Sequence, residues 1–145
     1  MKFEILPSLW IGSLKVLENT DFLCDKNIKG YLNLEKDLDF LHQNLEYQGV
    51  VKENIIKYRI IKLAEYLIDA TKYIYRKLSQ SEGVILVSKN GYLKCDYVLI
   101  AYFMRYGKCN LEISKRILES KLPDKINLNI IQTNALELFK RKLEK

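Results

Sequence analysis

The sequence predicts an α/β protein with a central, mostly parallel twisted sheet that is flanked by helices. Short apolar runs of strand length alternate along the chain with longer segments whose apolar residues recur at helical spacing. Only two prolines and six glycines occur, which argues against a turn-rich all-β fold. These two observations together favour a sheet layered with helices.

The predicted elements before residue 60 are short. In chain order we expect a strand pair at 3–11 broken by Pro7, a helix at 21–25 capped by Asn19 or Thr20, a strand at 30–34, a helical turn at 37–42 and a third strand at 46–51. The later elements are longer. They are a helix at 60–78, a buried strand at 84–87, a buried helix at 97–104, a helix at 111–120 and a last helix at 129–145.

The length and composition are those of one globular domain, which we expect to span residues 1–145. Hydrophobic residues make up 48% and charged residues 29% of the sequence, so a disordered chain is not expected. No apolar run reaches the ~18 residues that a membrane-spanning helix needs. The first residues contain too short an apolar run for a signal peptide. We therefore expect no membrane partner.

The cysteines indicate a reducing environment. Cys24, Cys95 and Cys109 are far apart and odd in number, and no Cys-x-x-Cys spacing occurs. Unpaired thiols favour an intracellular location, cytoplasmic or nuclear. With His42 as the one histidine, neither a zinc site nor any other cofactor is expected. His42 itself has no partner pattern and is expected on a helix surface rather than in catalysis.

The chain carries a formal net charge of +6 at pH 7. Such a charge suits an acidic or phosphorylated protein partner, and it also suits nucleic acid. A solvated, lysine-rich surface explains the same charge equally well. Neither the identity of the partner nor the oligomeric state follows from the sequence.

The stretch around residues 84–104 carries the main functional signal. A buried strand, a polar loop with Gly91 and a buried helix succeed one another, which points backbone N–H groups and a helix N-terminus at one spot. Such a spot favours an anion, most naturally phosphate. The residues expected to form this phosphate-binding loop are Ser88, Lys89, Asn90, Gly91, Tyr92, Leu93 and Lys94. A relic loop without a ligand is the alternative.

This stretch resembles the core of the dual-specificity protein phosphatases. Their signature is a strand, His-Cys, five residues including Gly, Arg, Ser or Thr, and a helix that often carries Ala-Tyr-Leu-Met; here 101–104 reads Ala-Tyr-Phe-Met. Residues 5–13 resemble the family's opening Ile-x-Pro-x-Leu-Tyr-Leu-Gly-Ser, and 30–34 resemble its Ile-x-x-Ile-Leu-Asn-Val strand. The resemblance covers nearly the whole chain and implies a phosphatase-like fold over all of it.

The departures from the family pattern fall on its chemistry. Aligned on Gly91, Ser88 stands at the nucleophilic Cys, Lys94 at the Arg and Cys95 at the following Ser or Thr. A serine hydroxyl is far less acidic than the thiol that this mechanism ionises. Lys keeps the positive charge but lacks the planar fork with which Arg holds two phosphoryl oxygens. We expect Cys95 to lie near Ser88 as a buried, inert thiol.

The general acid of the family also lacks a counterpart. It is an Asp that lies roughly thirty residues before the nucleophile. Residues 54–59 occupy that neighbourhood here without a carboxylate, and Glu53 is the nearest candidate. The resemblance therefore implies a pseudophosphatase with no catalytic residues, acting as a binding, scaffold or regulatory module for phosphorylated or acidic partners. The alternatives are an interaction or assembly module that uses another surface, with the phosphate pocket closed, and a weakly active phosphatase.

The tyrosines are expected to pack the core or its rim. Most of them recur at helical spacing, which is typical of core packing. They are Tyr58, Tyr66, Tyr73, Tyr75, Tyr97, Tyr102 and Tyr106.

Overall fold

The computed structural model of the chain describes residues 2–41, 43, 49, 51–89 and 95–144. The strands of this part of the chain are β1 (Lys2–Leu6), β2 (Leu9–Ser13), β3 (Ile28–Asn33) and β4 (Gly83–Ser88). Its α-helices are α1 (Thr20–Asp25), α2 (Leu34–Asp37), α3 (Lys52–Ser79), α4 (Asp96–Tyr106), α5 (Leu111–Glu119) and α6 (Ile130–Leu143). Short 3₁₀ segments lie at Leu14–Glu18 and Asp39–Leu41.

The strands form one mixed sheet in the order β1-β2-β4-β3. β2 and β3 both run parallel to the central β4, and β1 runs antiparallel to β2. The register pairs Ser13 with Ser88 and Asn33 with Val87, so the three parallel strands end at one edge of the sheet. Ligands of such sheets bind outside this edge. The prediction of an α/β fold with a mostly parallel sheet is confirmed.

β4 lies at the centre of the core. Its residues Val84 to Val87 are fully buried, because both faces of the sheet are covered. Val84 and Leu86 belong to the large cluster that includes apolar residues of α3, α4 and α6. Ile85 and Val87 point to the other face and pack with Val16 and Phe22. The continuous apolar run of this strand follows from this double cover.

Several predicted elements are confirmed, with boundaries that differ by one or two residues. The strand pair appears as β1 and β2, and Asn19 caps α1 by accepting a hydrogen bond from the backbone N–H of Phe22 at 3.1 Å. The strand predicted at 30–34 ends one residue early, at Asn33. The Asn33 side chain accepts from the backbone N–H of Lys36 at 3.3 Å, which starts α2 at Leu34.

The start of the long helix was predicted wrongly. α3 begins at Lys52, eight residues before the expected position, and Ile55 at its start is buried. Val51, predicted as the end of a third strand, is the residue that precedes this helix. Residues 46–48 and 50 of that predicted strand lie outside the described residues, as does His42.

Candidate functional site

The candidate site lies between the end of β4 and the start of α4. Ser88 is the last residue of β4, and Cys95 directly precedes α4. Both side chains are fully buried, whereas Lys89 is exposed. The other predicted members of the phosphate loop lie outside the described residues; they are Asn90, Gly91, Tyr92, Leu93 and Lys94. The geometry of the site therefore rests on Ser88, Lys89 and their neighbours.

Ser88 and Cys95 face each other inside the site. The Cys95 thiol donates to the Ser88 hydroxyl oxygen, with Sγ and Oγ 3.9 Å apart. Burial first, and then the nearby Asp96 and Glu35 carboxylates, raise the pKa of Cys95 to about 12, although the hydrogen bond to Ser88 lowers it. The thiol is therefore protonated at neutral pH and is not a nucleophile there. This is the buried, inert thiol that the resemblance implied.

Glu35 supplies a carboxylate to the beginning of the loop. Its Oε1 accepts a hydrogen bond from the backbone N–H of Lys89 at 2.8 Å. Glu35 lies on α2, which follows β3 directly and so starts at the same edge of the sheet where β4 ends. A bound phosphate would be held by backbone N–H groups of such a loop. An internal anion therefore already occupies one donor of the site.

Asp96 places a second carboxyl group at this spot. It is the first residue of α4, is only 8% exposed, and its Oδ1 accepts from the Tyr97 backbone N–H at 2.8 Å. Burial raises the pKa of Asp96 to about 7, which the hydrogen bonds to its carboxylate only partly counteract. The group is therefore partly protonated near neutral pH. Sequence reasoning missed both Asp96 and Glu35.

A cavity of about 180 Å³ opens beside Glu35, between α2 and the start of α6. Its wall is partly apolar and carries one carboxylate, one phenol and two amides; it is formed by Leu34, Glu35, Leu38, Leu41, Tyr97, Asn129, Ile131 and Gln132. Its size suits a small ligand or a few ordered waters rather than a phosphorylated side chain with its flanking peptide.

The region expected to lack a general acid is helical. Residues 54–59 form the first turns of α3, and Glu53 is exposed in its first turn. Across the described ranges, no group of three or more His, Cys, Asp or Glu side chains is placed to hold a metal ion. No helix in the same ranges is long and apolar enough to cross a bilayer.

A buried strand and a buried helix that meet at one edge of a mixed sheet define an α/β domain with a candidate site at that edge. No protein-family model matches the sequence. Among solved structures, the phosphatase-domain, leucine-rich-repeat protein of Entamoeba histolytica is 25% identical, with a TM-score of 0.74 over 99% of this chain and 92% of that chain. The fold is that of the dual-specificity phosphatases.

Two human structures support this fold at lower identity. Human DUSP28 is 16% identical, with a TM-score of 0.67 over 99% of this chain and 95% of its own. The human tyrosine phosphatase-like serine/threonine/tyrosine-interacting protein is 13% identical, with a TM-score of 0.71 over 99% of this chain and 98% of its own. At these identities the likeness concerns the fold alone.

Proposed function

We propose that this protein is a catalytically inactive phosphatase-fold protein that acts as a binding or regulatory module. The observation that supports this is the state of the Ser88–Cys95 pair. The group at the nucleophile position is a hydroxyl, and the thiol beside it has its pKa raised to about 12 by burial. Phosphoryl transfer through a cysteine needs the opposite, a thiol whose pKa is lowered toward neutrality.

The partner that fits the loop is a phosphorylated or acidic segment of another protein. The start of α4 contributes a positive field, and the exposed Lys89 adds a cation at the mouth of the site. The net charge of +6 strengthens long-range attraction for such a partner. One structural neighbour carries the name of a phosphatase-like interacting protein, which combines this fold with a binding role.

The contact of Glu35 favours a second candidate function. A carboxylate on the Lys89 N–H repels an incoming phosphate and competes for the same donor. In this alternative the pocket is closed, and the protein is an interaction or assembly module that uses another surface.

Catalysis is tested with p-nitrophenyl phosphate. We expect the wild-type protein and Ser88→Ala to give the same background rate, because Ser88 is not activated. Turnover by the wild type that is lost in Ser88→Ala would overturn the proposal and leave a weakly active phosphatase.

Anion binding separates the two binding candidates. We expect calorimetric titration with phosphate, sulfate and phosphotyrosine to show weak binding to the wild type and about tenfold tighter binding to Glu35→Gln, since the variant removes a charge near the donor. Glu53→Gln is the matched control, because Glu53 is exposed on α3. Lack of binding by both the wild type and Glu35→Gln would support the closed-pocket alternative.

A further inference from the structure

An aromatic stack lies where the second half of α3 meets the end of α4. The rings of Tyr75 and Tyr106 stack with centroids 4.2 Å apart and planes 10° apart, and Tyr102 tilts against Tyr106 at 5.2 Å. Tyr102 is 8% exposed, as expected of a core tyrosine, but Tyr75 is 47% exposed. Tyr75 thus packs at the rim of the core, as expected, through its contact with Tyr106, and about half of it stays exposed. A ring that is held flat by a second ring and remains open to solvent is a platform on which a nucleobase can stack.

A basic cavity of about 400 Å³ opens at the end of α4, the helix that carries Tyr102 and Tyr106. Arg105, Lys108 and Lys140 line it, with Glu144 as the acidic residue of the lining. Lys108 and Lys140 are exposed, so their ammonium groups are available to a ligand. The lining comes from the ends of α4 and α6 and from the residues that follow α4.

Arg105 joins the stack to the cavity. Its guanidinium carbon lies 5.2 Å from the ring centroid of Tyr106, and the same side chain lines the cavity. Its Nη1 donates to the Ile68 carbonyl oxygen at 2.9 Å and to the Thr71 hydroxyl at 3.1 Å, which fixes it against α3. A cation held in place beside an aromatic platform is preorganised for a phosphate that flanks a stacked base.

The backbone at Lys108 is unusual. Its φ is 55°, in the left-handed region that L-residues avoid, whereas Gly107 has an ordinary helical φ of −88°. Lys108 thus takes the left-handed conformation directly after the C-cap Gly107, at a position where glycine is the usual residue. Lysine rarely adopts this conformation, and here Lys108 also lines the cavity.

We propose that the surface formed by Tyr75, Tyr106, Arg105, Lys108 and Lys140 binds single-stranded nucleic acid. A base stacks on Tyr75, and the adjoining phosphates lie along the cations. A duplex does not fit, because its bases are already stacked on one another. The eleven residues of α4 span about 16 Å from the phosphatase-like site at its start to Tyr106 at its end, so the two sites are distinct.

Nucleic acid fits better than a phosphopeptide because the cations are spread over the cavity rather than focused on one phosphate. Exposed Lys72 and Arg76 flank Tyr75 on α3 and extend the positive surface along the stack. A single strand of nucleic acid presents bases that stack on aromatic rings and phosphates that bind cations, in alternation along its backbone.

The test is fluorescence anisotropy with 3′-fluorescein twelve-nucleotide oligo(U), oligo(A) and oligo(dT) that carry no 5′ phosphate. We expect saturable binding that weakens with salt. Tyr75→Ala should weaken it about tenfold, while Tyr75→Phe should retain it, because the ring rather than the hydroxyl stacks. Tyr31→Ala is the matched control, since Tyr31 is 55% exposed on β3, and should change nothing. Comparison of oligo(U) with oligo(dT) distinguishes RNA from DNA.

Lys108→Asn separates binding from folding. Asn tolerates the left-handed conformation better than Lys, so the thermal midpoint should not fall. The salt slope of log K should become shallower by about 0.7, the value for one lost contact to a single-strand phosphate. Lys15→Asn, an exposed lysine on the Leu14–Glu18 segment, serves as the control. The proposal would be overturned if no oligonucleotide bound, or if binding were unchanged in Tyr75→Ala and Lys108→Asn. It would also be overturned by equal affinity for a duplex, or by tighter binding of a labelled phosphotyrosine peptide at this surface.

Discussion

Ser88 and Cys95 exchange the two groups that the phosphatase pattern places at these positions. In the family the thiol follows the strand and a hydroxyl residue precedes the helix; here the hydroxyl follows β4 and the thiol precedes α4. The pair still lies in contact, at 3.9 Å. The exchange leaves the thiol fully buried, where its neutral form is favoured. This exchange is the basis of the proposed loss of catalysis.

The first prediction concerns the reactivity of the three thiols. In the native protein a disulfide reagent that reports on free thiols should modify the exposed Cys24 rapidly and leave Cys95 unmodified over the same time, because the Cys95 thiolate is scarce and buried. In denaturant all three cysteines should react. The control is Cys95→Ala, which should not change the number of thiols that react in the native protein. Rapid native modification of Cys95 would contradict the raised pKa.

The second prediction follows from the buried carboxyl group of Asp96. Its pKa is about 7 in the folded protein, against an ordinary value of about 3.9. Between these two pH values the folded state binds more protons than the unfolded state. The stability that the protonated Asp96 gives to the folded state is therefore fully present below about pH 4 and is lost as the pH rises through 7. We expect this group to lower the free energy of unfolding by about 1–4 kcal/mol as the pH rises over that range.

Urea denaturation at pH 4.5, 6 and 8 measures this effect. The free-energy difference between Asp96→Asn and the wild type should grow in favour of the variant as the pH rises, because Asn cannot ionise. The exposed Asp25→Asn is the control and should show no such trend. A constant free-energy difference across the three pH values would show that burial does not raise the pKa of Asp96.

At the scale of elements, α6 closes the cavity beside Glu35 and packs against α3. A capping box starts the helix: the Asn129 side chain accepts from the Gln132 N–H at 2.8 Å, and the Gln132 side chain accepts from the Asn129 N–H at 3.1 Å. Phe139, fully buried, fixes the helix in the core. The start of α6 is therefore determined locally, and its docking by packing.

The third prediction tests this cap. Asn129→Ala should lower the free energy of unfolding by about 1 kcal/mol, because the backbone N–H of Gln132 loses its partner. Asn129→Asp should keep nearly full stability, since a carboxylate caps as well. The urea midpoint of each variant measures the change. Equal losses for both variants would mean that the amide nitrogen, rather than the capping oxygen, matters.

The sequence predicted elements whose signals are local and failed where packing decides. Asn129 and the apolar residues after it predict α6, and the continuous apolar run predicts β4. The start of α3 was missed because Lys57, Tyr58 and Arg59 interrupt the apolar pattern after Ile55. The contact of Glu35 with Lys89 spans 54 positions and depends on tertiary structure. Such a contact leaves no periodic signal.

The candidate site was predictable only in part, for the same reason. The closeness of Ser88 and Cys95 followed from the family resemblance. The burial of Asp96 did not, because an acid at the start of a helix reads the same in the sequence whether it is exposed or buried.

On the scale of the whole molecule, α4 joins two ends of opposite electrostatic character. Glu35 and Asp96 lie at its beginning, and Arg105, Lys108 and Lys140 surround its end. An anionic partner at the phosphatase-like site therefore meets Glu35 and Asp96 beside the cation of Lys89, whereas cations predominate at the opposite end of α4. This distribution disfavours restoration of catalysis by exchange of the signature residues alone.

The last prediction tests that statement. Ser88→Cys with Lys94→Arg should hydrolyse p-nitrophenyl phosphate at least about 100-fold more slowly than an active dual-specificity phosphatase, because an absent general acid costs about 10²- to 10⁴-fold. A thiol at position 88 would also lie close to Glu35 and Asp96, whose charges oppose the thiolate. Addition of Glu35→Gln should therefore raise the rate, whereas Ser88→Cys without Lys94→Arg should give a rate no higher than that of the double variant.

Robust turnover by the double variant would show that an acid is present after all. Loss of that turnover on Glu53→Gln would identify the acid, because Glu53 is the carboxylate nearest in sequence to the expected position.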